Sequence, residues 1–586
     1  MFYKFLVIGF VSLFTFLYSS EVKHLKHNII FIGCDSVSED NLQSAMGVEV
    51  KNKFEFWKDY KPKIKDKLLP SLNESLRGYY DSIGFYDANF TINTTPELVT
   101  VNIKENNPIL IRDINISSDF NISNHNQIIF KKDDRFRAKD FISVKSNIIK
   151  ELLKNGYCSY DLDSKAFVDL DKHIVDLRFI IKKGGVCKFG EISVRGLESI
   201  DKSIVVSRVM AREGNDFNTE RIQESYNSLY DLDTFDIVSI KYNRKFYNVV
   251  PIDIEVREVR KKNYFMGGIG YDTNIGAMIK GEYIRKNFFG DAQKLKIIAN
   301  YSSIEKVLDL THFIPSFINI ENYSIDYFNN IGYSDIDYEG FLEKKSYLKS
   351  YLSYRNEKTT LQAGFGFENI DISLKDDINE IILTRAIKEG NFFLAYPFLK
   401  FIYDRRDSKL NPKDGYYISA DIEYGIDYED EASSYLKYLI EGRLINSFEE
   451  LTLAMVGKIG ILDELNNIVP ESKKFFSGGA YSNRAYGYGR VGVIYSPTSY
   501  GIEGASTMAN LSLEADYPII GDLYGAVFTD NTILTVDSYD FSGDILTTAG
   551  LGVRYITPVG PIKIDVGMNV HDSSQYGIQF QIGQSF

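Results

Sequence analysis

The sequence predicts a chain of two kinds of structure. Three small α+β modules, each β-α-α-β-β, precede an all-β transmembrane antiparallel barrel of sixteen strands. Three observations carry this expectation. The stretch QYGIQFQIGQSF at 575–586 alternates an oily face (Tyr576, Ile578, Phe580, Ile582, Phe586) with a face of glycine, amide and hydroxyl (Gly577, Gln579, Gln581, Gly583, Ser585). A strand between lipid and a wet lumen needs that alternation over about 9 to 11 residues. Segments of the same kind recur from residue 264 onward, and no open sheet edge is tolerated in lipid, so a closed set is required. Upstream, residues 28 to 258 repeat with a period of about 75 residues.

At 586 residues the chain exceeds one ordinary domain. It holds 41 Tyr and 40 Phe but one Trp, and tyrosine suits the girdles where an apolar ring meets water at its hydroxyl. A net charge of −13 with no dense Lys/Arg run argues against a nucleic-acid partner. Phe5 to Tyr18 is apolar, preceded by Lys4 and followed by Ser19-Ser20-Glu21. This is short for a spanning helix and fits a secretory signal peptide over 1–20, cleaved near Ser19 or Ser20, with an uncleaved anchor as the alternative. Cys34 is separated from that stretch by polar residues and reads as a small residue at a strand end. Cys158 and Cys187 lie 29 positions apart. In an exported chain they are candidates for a disulfide rather than two free thiols, and such a loop contributes roughly 3 kcal/mol.

The repeated modules occupy 28–106, 107–184 and 185–258. Each opens with a strand, IIFIG at 29–33, ILIRDINI at 109–116 and KFGEISVRG at 188–196. Helical spacing follows, as in 138–153 and 218–229, and two alternating strands close each unit. Arrays of such units bind or relay more often than they catalyse. The barrel occupies 259–586, with strands expected at 264–272, 276–286 and 292–303, then 306–314, 322–331, 344–356 and 358–368, and so on to 559–570 and 575–586. Sixteen is an even number, as bacterial single-chain barrels require.

Four stretches carry more specific information. Asp404-Arg405-Arg406-Asp407 precedes Pro412 and Asp414-Gly415, a tight-turn signal with a charged cluster tolerable only in the lumen or at a rim. The gap from Asp463 to Ser506 is far beyond hairpin length and holds PESKKFFSGGAYSNRAYGYGR at 470–490. Glu514 stands in NLSLEADYPI and Asp530 in AVFTDN, and GLGVRYITPVGPIKIDVG fills 550–567.

Together these stretches resemble the Omp85 superfamily, and the repeated units look like its POTRA modules. The resemblance implies an outer-membrane location with the modules in the periplasm. There, free strand edges can add an extended partner. It also implies that Arg484 and Tyr486 sit at the tip of an inward-folded loop, with Arg484 paired to Glu514 and Asp530 as a charge-assisted clamp. Here Ala485 stands where the family has glycine, and a positive φ would strain it. Asp404, Arg406, Asp407 and Gly415 match the family's charged turn.

Three modules match the branch of the superfamily that forms the outer-membrane subunit of a translocation and assembly module. That branch implies unfolded outer-membrane protein clients such as autotransporters, contact with outer-membrane lipids, and an inner-membrane-anchored periplasmic partner. Gly267, Gly268 and Gly270 in the first strand, with Gly577, Gly583 and Phe586 in the last, then mark a weak seam able to template a client strand. The alternatives are a general insertase, a two-partner-secretion transporter, a lipid-transport role with the inner-membrane-anchored partner, and a passive porin. An enzyme fits least, since the barrel segment has only His312 and His571 and no Cys. No cofactor or metal is expected.

Overall fold

A computed structural model describes residues 26–48, 61–120, 129–243, 248–272, 276–320, 323–375, 387–427, 434–466, 469–496, 499–500, 503–557 and 560–582. The expected signal peptide, Gly583 and Phe586 lie outside the described residues. The chain divides into two compact units. One is Met1–Gly190 with Glu213–Glu220 and Asn243–Pro251; the other is Glu191–Arg212 with Arg221–Tyr242 and Ile252–Phe586.

In the first unit, the first module runs β1 (Lys26–Ile32), α1 (Glu39–Ala45), β2 (Lys63–Lys65), α2 (Leu72–Ser82), β3 (Asn89–Thr94) and β4 (Leu98–Lys104). Its sheet order is β2-β1-β4-β3, with β1 and β4 parallel. Ser38 caps α1 by accepting from the Asn41 amide. Leu72, Leu76 and Tyr80 fall on one face of α2 and are buried in one core with Ile29, Val99 and Val101.

The second module runs β5 (Leu110–Ser118), α3 (Ala138–Lys154), β6 (Asp161–Asp169) and β7 (Ile174–Lys182), in the order β5-β7-β6. Val144, Ile148 and Leu152 recur every four residues on α3 and share a core with Ile111, Val175 and Phe179. Among the described residues it has one helix where two were expected, with 121–128 outside them. Cys158 and Cys187 are joined in a disulfide with Cα atoms 5.8 Å apart.

The third module is β8 (Lys188–Arg195), α4 (Lys202–Ser207), α5 (Thr219–Asp231), β9 (Phe235–Tyr242) and β10 (Val249–Glu258), ordered β8-β10-β9. Most of it falls in the second compact unit. Polar contacts at Arg208 and Asp233 tie this part to the large sheet, and another, at Glu258, lies within the module itself. Arg208 pairs with Asp326, whose Oδ1 also accepts from the Ser316 amide at 2.9 Å. Lys286 Nζ reaches Asp233 at 2.7 Å. The Glu258 carboxylate accepts from the amides of Glu198, Ser199 and Ile200 and from the Ser199 hydroxyl. Burial pushes the Glu258 pKa up, but the Ser199 hydroxyl and these amides outweigh it and hold the carboxyl below its ordinary value.

The large sheet has sixteen antiparallel strands in sequence order. Its first half is β11 (Asn263–Asp272), β12 (Gly276–Lys286), β13 (Lys294–Tyr301), β14 (Glu305–Ile320), β15 (Tyr323–Asp337), β16 (Phe341–Arg355), β17 (Thr359–Leu374) and β18 (Gly390–Asp404). Then come β19 (Gly415–Asp427), β20 (Ser434–Phe448) and β21 (Leu451–Glu464), a short ribbon of β22 (Ile494–Ser496) and β23 (Ser499–Tyr500) inside the long loop, and β24 (Thr507–Ile520), β25 (Leu523–Thr535), β26 (Leu546–Thr557), β27 (Gly560–Asn569) and β28 (Tyr576–Ile582).

Alternation sets the two faces. Phe265, Ile269, Ile279, Phe365 and Leu551 point outward and are more than half exposed, whereas Glu368, Asp530, Asp565 and Gln579 point inward and are buried. The strand count matches expectation but several lengths do not. β14 was expected to stop at 314; it continues to Ile320 through a bulge after Ile314, with Ser316 at φ +55°. The sheet rolls up until β11 and β28 lie near each other, yet among the described residues no ladder joins these two strands.

Candidate functional site

The loop between β21 and β24 folds into the space enclosed by the sheet. Its two limbs pair with each other: Phe475 and Ala505 exchange backbone bonds at 2.8 Å, as do Ser477 and Val491 at 2.8 and 3.0 Å. Gly478, at φ +105°, makes the tight corner at the tip, where a Cβ would collide with the Gly487 carbonyl oxygen.

Arg484 at that tip is buried among acids. Its Nε and one terminal nitrogen fork onto Asp530 of β25, both at 3.0 Å, and its backbone amide donates to the same carboxylate at 3.0 Å. The other terminal nitrogen pairs with Glu514 of β24 and lies 3.4 Å from Asp565 of β27. The guanidinium plane rests 3.3 Å from the centroid of the Phe528 ring. Arg554 of β26 pairs with Glu514 at 2.8 Å and with Asp565, and Lys563 stands 3.9 Å from Glu514. Three acids and three cations therefore form one buried network, the condition under which such charges are tolerated.

The rest of the tip is satisfied by the same wall. Asn483 donates to the Leu546 carbonyl at 3.2 Å and accepts from Thr548. The Tyr486 hydroxyl accepts from Asn569 at 2.7 Å. From β28, Gln579 donates to the carbonyls of Arg484 (3.3 Å) and Tyr486 (3.0 Å), and Gln575, just before that strand, donates to that of Ala485 (2.9 Å). Gly577 makes room, since a Cβ there would sit 2.5 Å from the Arg484 carbonyl oxygen. Gly567 meets the same backbone, and a Cβ on it would stand 2.9 Å from the Arg484 carbonyl carbon. Ala485 is fully buried and is not among the residues with positive φ, so it carries none of the strain that position was expected to impose.

Of the sequence-derived candidates, Arg484, Tyr486, Glu514 and Asp530 meet in this network. Asp404, Arg406, Asp407 and Gly415 assemble elsewhere, at the β18–β19 turn. There Arg406 forks onto Asp404 with both bonds at 2.9 Å, Asp407 accepts from the Lys413 amide at 2.9 Å, and Gly415 at φ +116° passes so close to the Arg405 carbonyl oxygen that a Cβ would collide with it. Gly267, Gly268 and Gly270 lie in β11, away from the tip, and Gly268 has open space around it. Sequence reasoning missed Arg554, Lys563, Asp565, Gln575 and Gln579. The available signal was phase: Lys563 and Asp565 share the inward face of β27 with Gly567, and Gln579 shares that of β28 with Gly577.

The tip, the wall and the loop limbs share one apolar core. Phe475, Tyr486, Val491 and Val493 of the loop pack with Phe341 and Ile372 on one side and with Met508, Leu534 and Leu546 on the other. These features define a class first: an outward-oily antiparallel barrel plugged from within by its own loop and preceded by α+β modules. The Omp85 superfamily domain matches residues 287–586, and the chain belongs to that superfamily. It is similar to the outer membrane protein assembly factor BamA of Nitratidesulfovibrio vulgaris, 21% identical over 94% of this chain and 72% of that one. The fold is also that of the crystal structure of BamA from Haemophilus ducreyi lacking POTRA domains 1–3 (TM-score 0.55, 18% identity, 81% of this chain and 100% of that one). A likeness to CdiB from Acinetobacter baumannii has a TM-score of 0.45 at 12% identity, over 82% of this chain and 90% of that one.

Proposed function

We propose that the protein is an outer-membrane protein assembly factor of TamA type. In this reading the modules lie in the periplasm and receive unfolded β-barrel clients such as autotransporters. A TamB-like inner-membrane-anchored partner docks on them, and outer-membrane lipids surround the sheet. The work is physical: β11 offers its backbone edge as a template for a client strand, with no catalytic step and no cofactor. The observation that carries the reading is that the loop tip grips β28 from inside while no ladder joins β28 to β11 among the described residues. Three modules between Lys26 and Glu258 support the TamA-type branch. The likeness to BamA over most of the chain favours a second reading, general insertion of outer-membrane proteins.

The test is client folding into liposomes, followed by heat-modifiable gel mobility, with wild-type protein, Arg484→Ala or none. Faster folding with wild type, blunted by the substitution, supports the reading. Folding no faster than in empty vesicles, with the protein itself folded, overturns it in favour of transport of a polypeptide or lipid.

A further inference from the structure

The loop carries a second buried cation whose partners lie on a different wall. Lys473 sits in the 3-10 turn Glu471–Lys473 at the loop's root and is buried. Its Nζ lies 2.8 Å from Glu368 of β17 and 2.8 Å from Glu423 of β19, and 4.4 Å from the centroid of the Tyr396 ring of β18. The Tyr396 hydroxyl donates to Glu368 and the Tyr435 hydroxyl, on β20, donates to Glu423, so both carboxylates are fixed by the wall itself. Lys349 of β16 stands 3.8 Å from Glu368, and Lys437 of β20 donates to the Lys473 carbonyl at 2.6 Å. The walls do not overlap: Lys473 is received by β16–β20, Arg484 by β24–β28.

We infer that Lys473 is a positioning residue that anchors the loop root independently of Arg484, so that the tip can leave its network while the loop still plugs the lumen. A single anchor at the tip would make release of the tip equivalent to withdrawal of the loop. Two anchors on separate walls separate the events. The tip disengages from β28, and the apolar limbs around Phe475 and Val493 stay seated. Removing the lysine would leave Glu368 with Lys349 at 3.8 Å and take from Glu423 its counter-charge at 2.8 Å, in a site where such a loss is strongly disfavoured.

The experiment is conductance of the full chain in planar bilayers, a readout that involves no client and so stands apart from the folding assay above. Arg484→Ala alone is expected to remain mostly closed. Adding Lys473→Met raises the open fraction at least about tenfold, the shift expected when one partner of a buried ion cluster is lost. Lys473→Arg in the same background restores closure. Heat-modifiable mobility confirms that each protein is folded. If the Lys473→Met double variant does not fold, Glu423→Gln in the Arg484→Ala background carries the same expectation with side-chain volume kept. A folded double variant that conducts no more than Arg484→Ala, or an arginine that behaves like methionine, overturns the inference.

Discussion

The two edge strands of the sheet are treated differently by the rest of the chain. β28 pairs with β27 and is also held from inside: Gln579 donates to two tip carbonyls and Gly577 lets the Arg484 backbone approach. β11 pairs with β12, and nothing lies within 4 Å of where a Gly268 side chain would stand, while Phe265 and Ile269 face outward almost bare at 78% and 88% exposure. Among the described residues, one edge is braced by the loop tip and the other is held by its ladder with β12. Edge strands are where a sheet accepts a new partner, so this asymmetry nominates β11, not β28, as the strand that moves.

The asymmetry is broken most severely at Arg484. Arg484→Ala strips the buried Asp530 of its forked counter-charge, and a loss of about 3–5 kcal/mol in barrel stability is expected, read from the urea midpoint of heat-modifiable mobility. Next, Gly577→Ala places a methyl against immovable backbone and costs about 1–3 kcal/mol by the same measurement. Gln579→Leu strands two carbonyls at a cost of about 1–3 kcal/mol. Its sharper signature is faster hydrogen exchange in β28 with β11 unchanged.

Glu258 tests the bare edge from its root, because it ends the strand that leads into β11. Its folded pKa is depressed, so its contribution is complete above the ordinary carboxylate pKa of about 4.3 and is lost as pH falls below that value toward the folded one. Glu258→Gln is expected to flatten acid sensitivity of the third module in that window, followed by hydrogen exchange of 198–200. The smallest effect is the most telling: Gly268→Ala, with open space around it, stabilises by about 0.5 kcal/mol, opposite in sign to the same change at Gly577.

How much of this was legible depends on whether the signal was local. Alternation at 575–586 and the period-75 repeat disclosed the architecture, because each strand or module writes its own pattern. Arg484, Glu514 and Asp530 could be brought together through motif resemblance. Asp565, Arg554 and Gln579 could not, because an inward residue of a barrel strand looks like any alternating polar position until register is known. The end of β14 expected at 314 was wrong for a related reason: an interruption of alternation looks like a strand end, and only the partner strand β15 shows that pairing resumes at Ile318.

The network around Arg484 also has a temporal meaning. Its most distant bonds join residues 81 and 95 positions apart, so none of them exists until β27 and β28 have been made and registered. Contacts of such separation close late. A barrel with its terminal strand missing or slipped would leave the tip carbonyls and one face of the acid cluster unanswered, and the tip would lose its seat even with the root held at Lys473. The tip therefore reports on completion: it docks only against a finished wall.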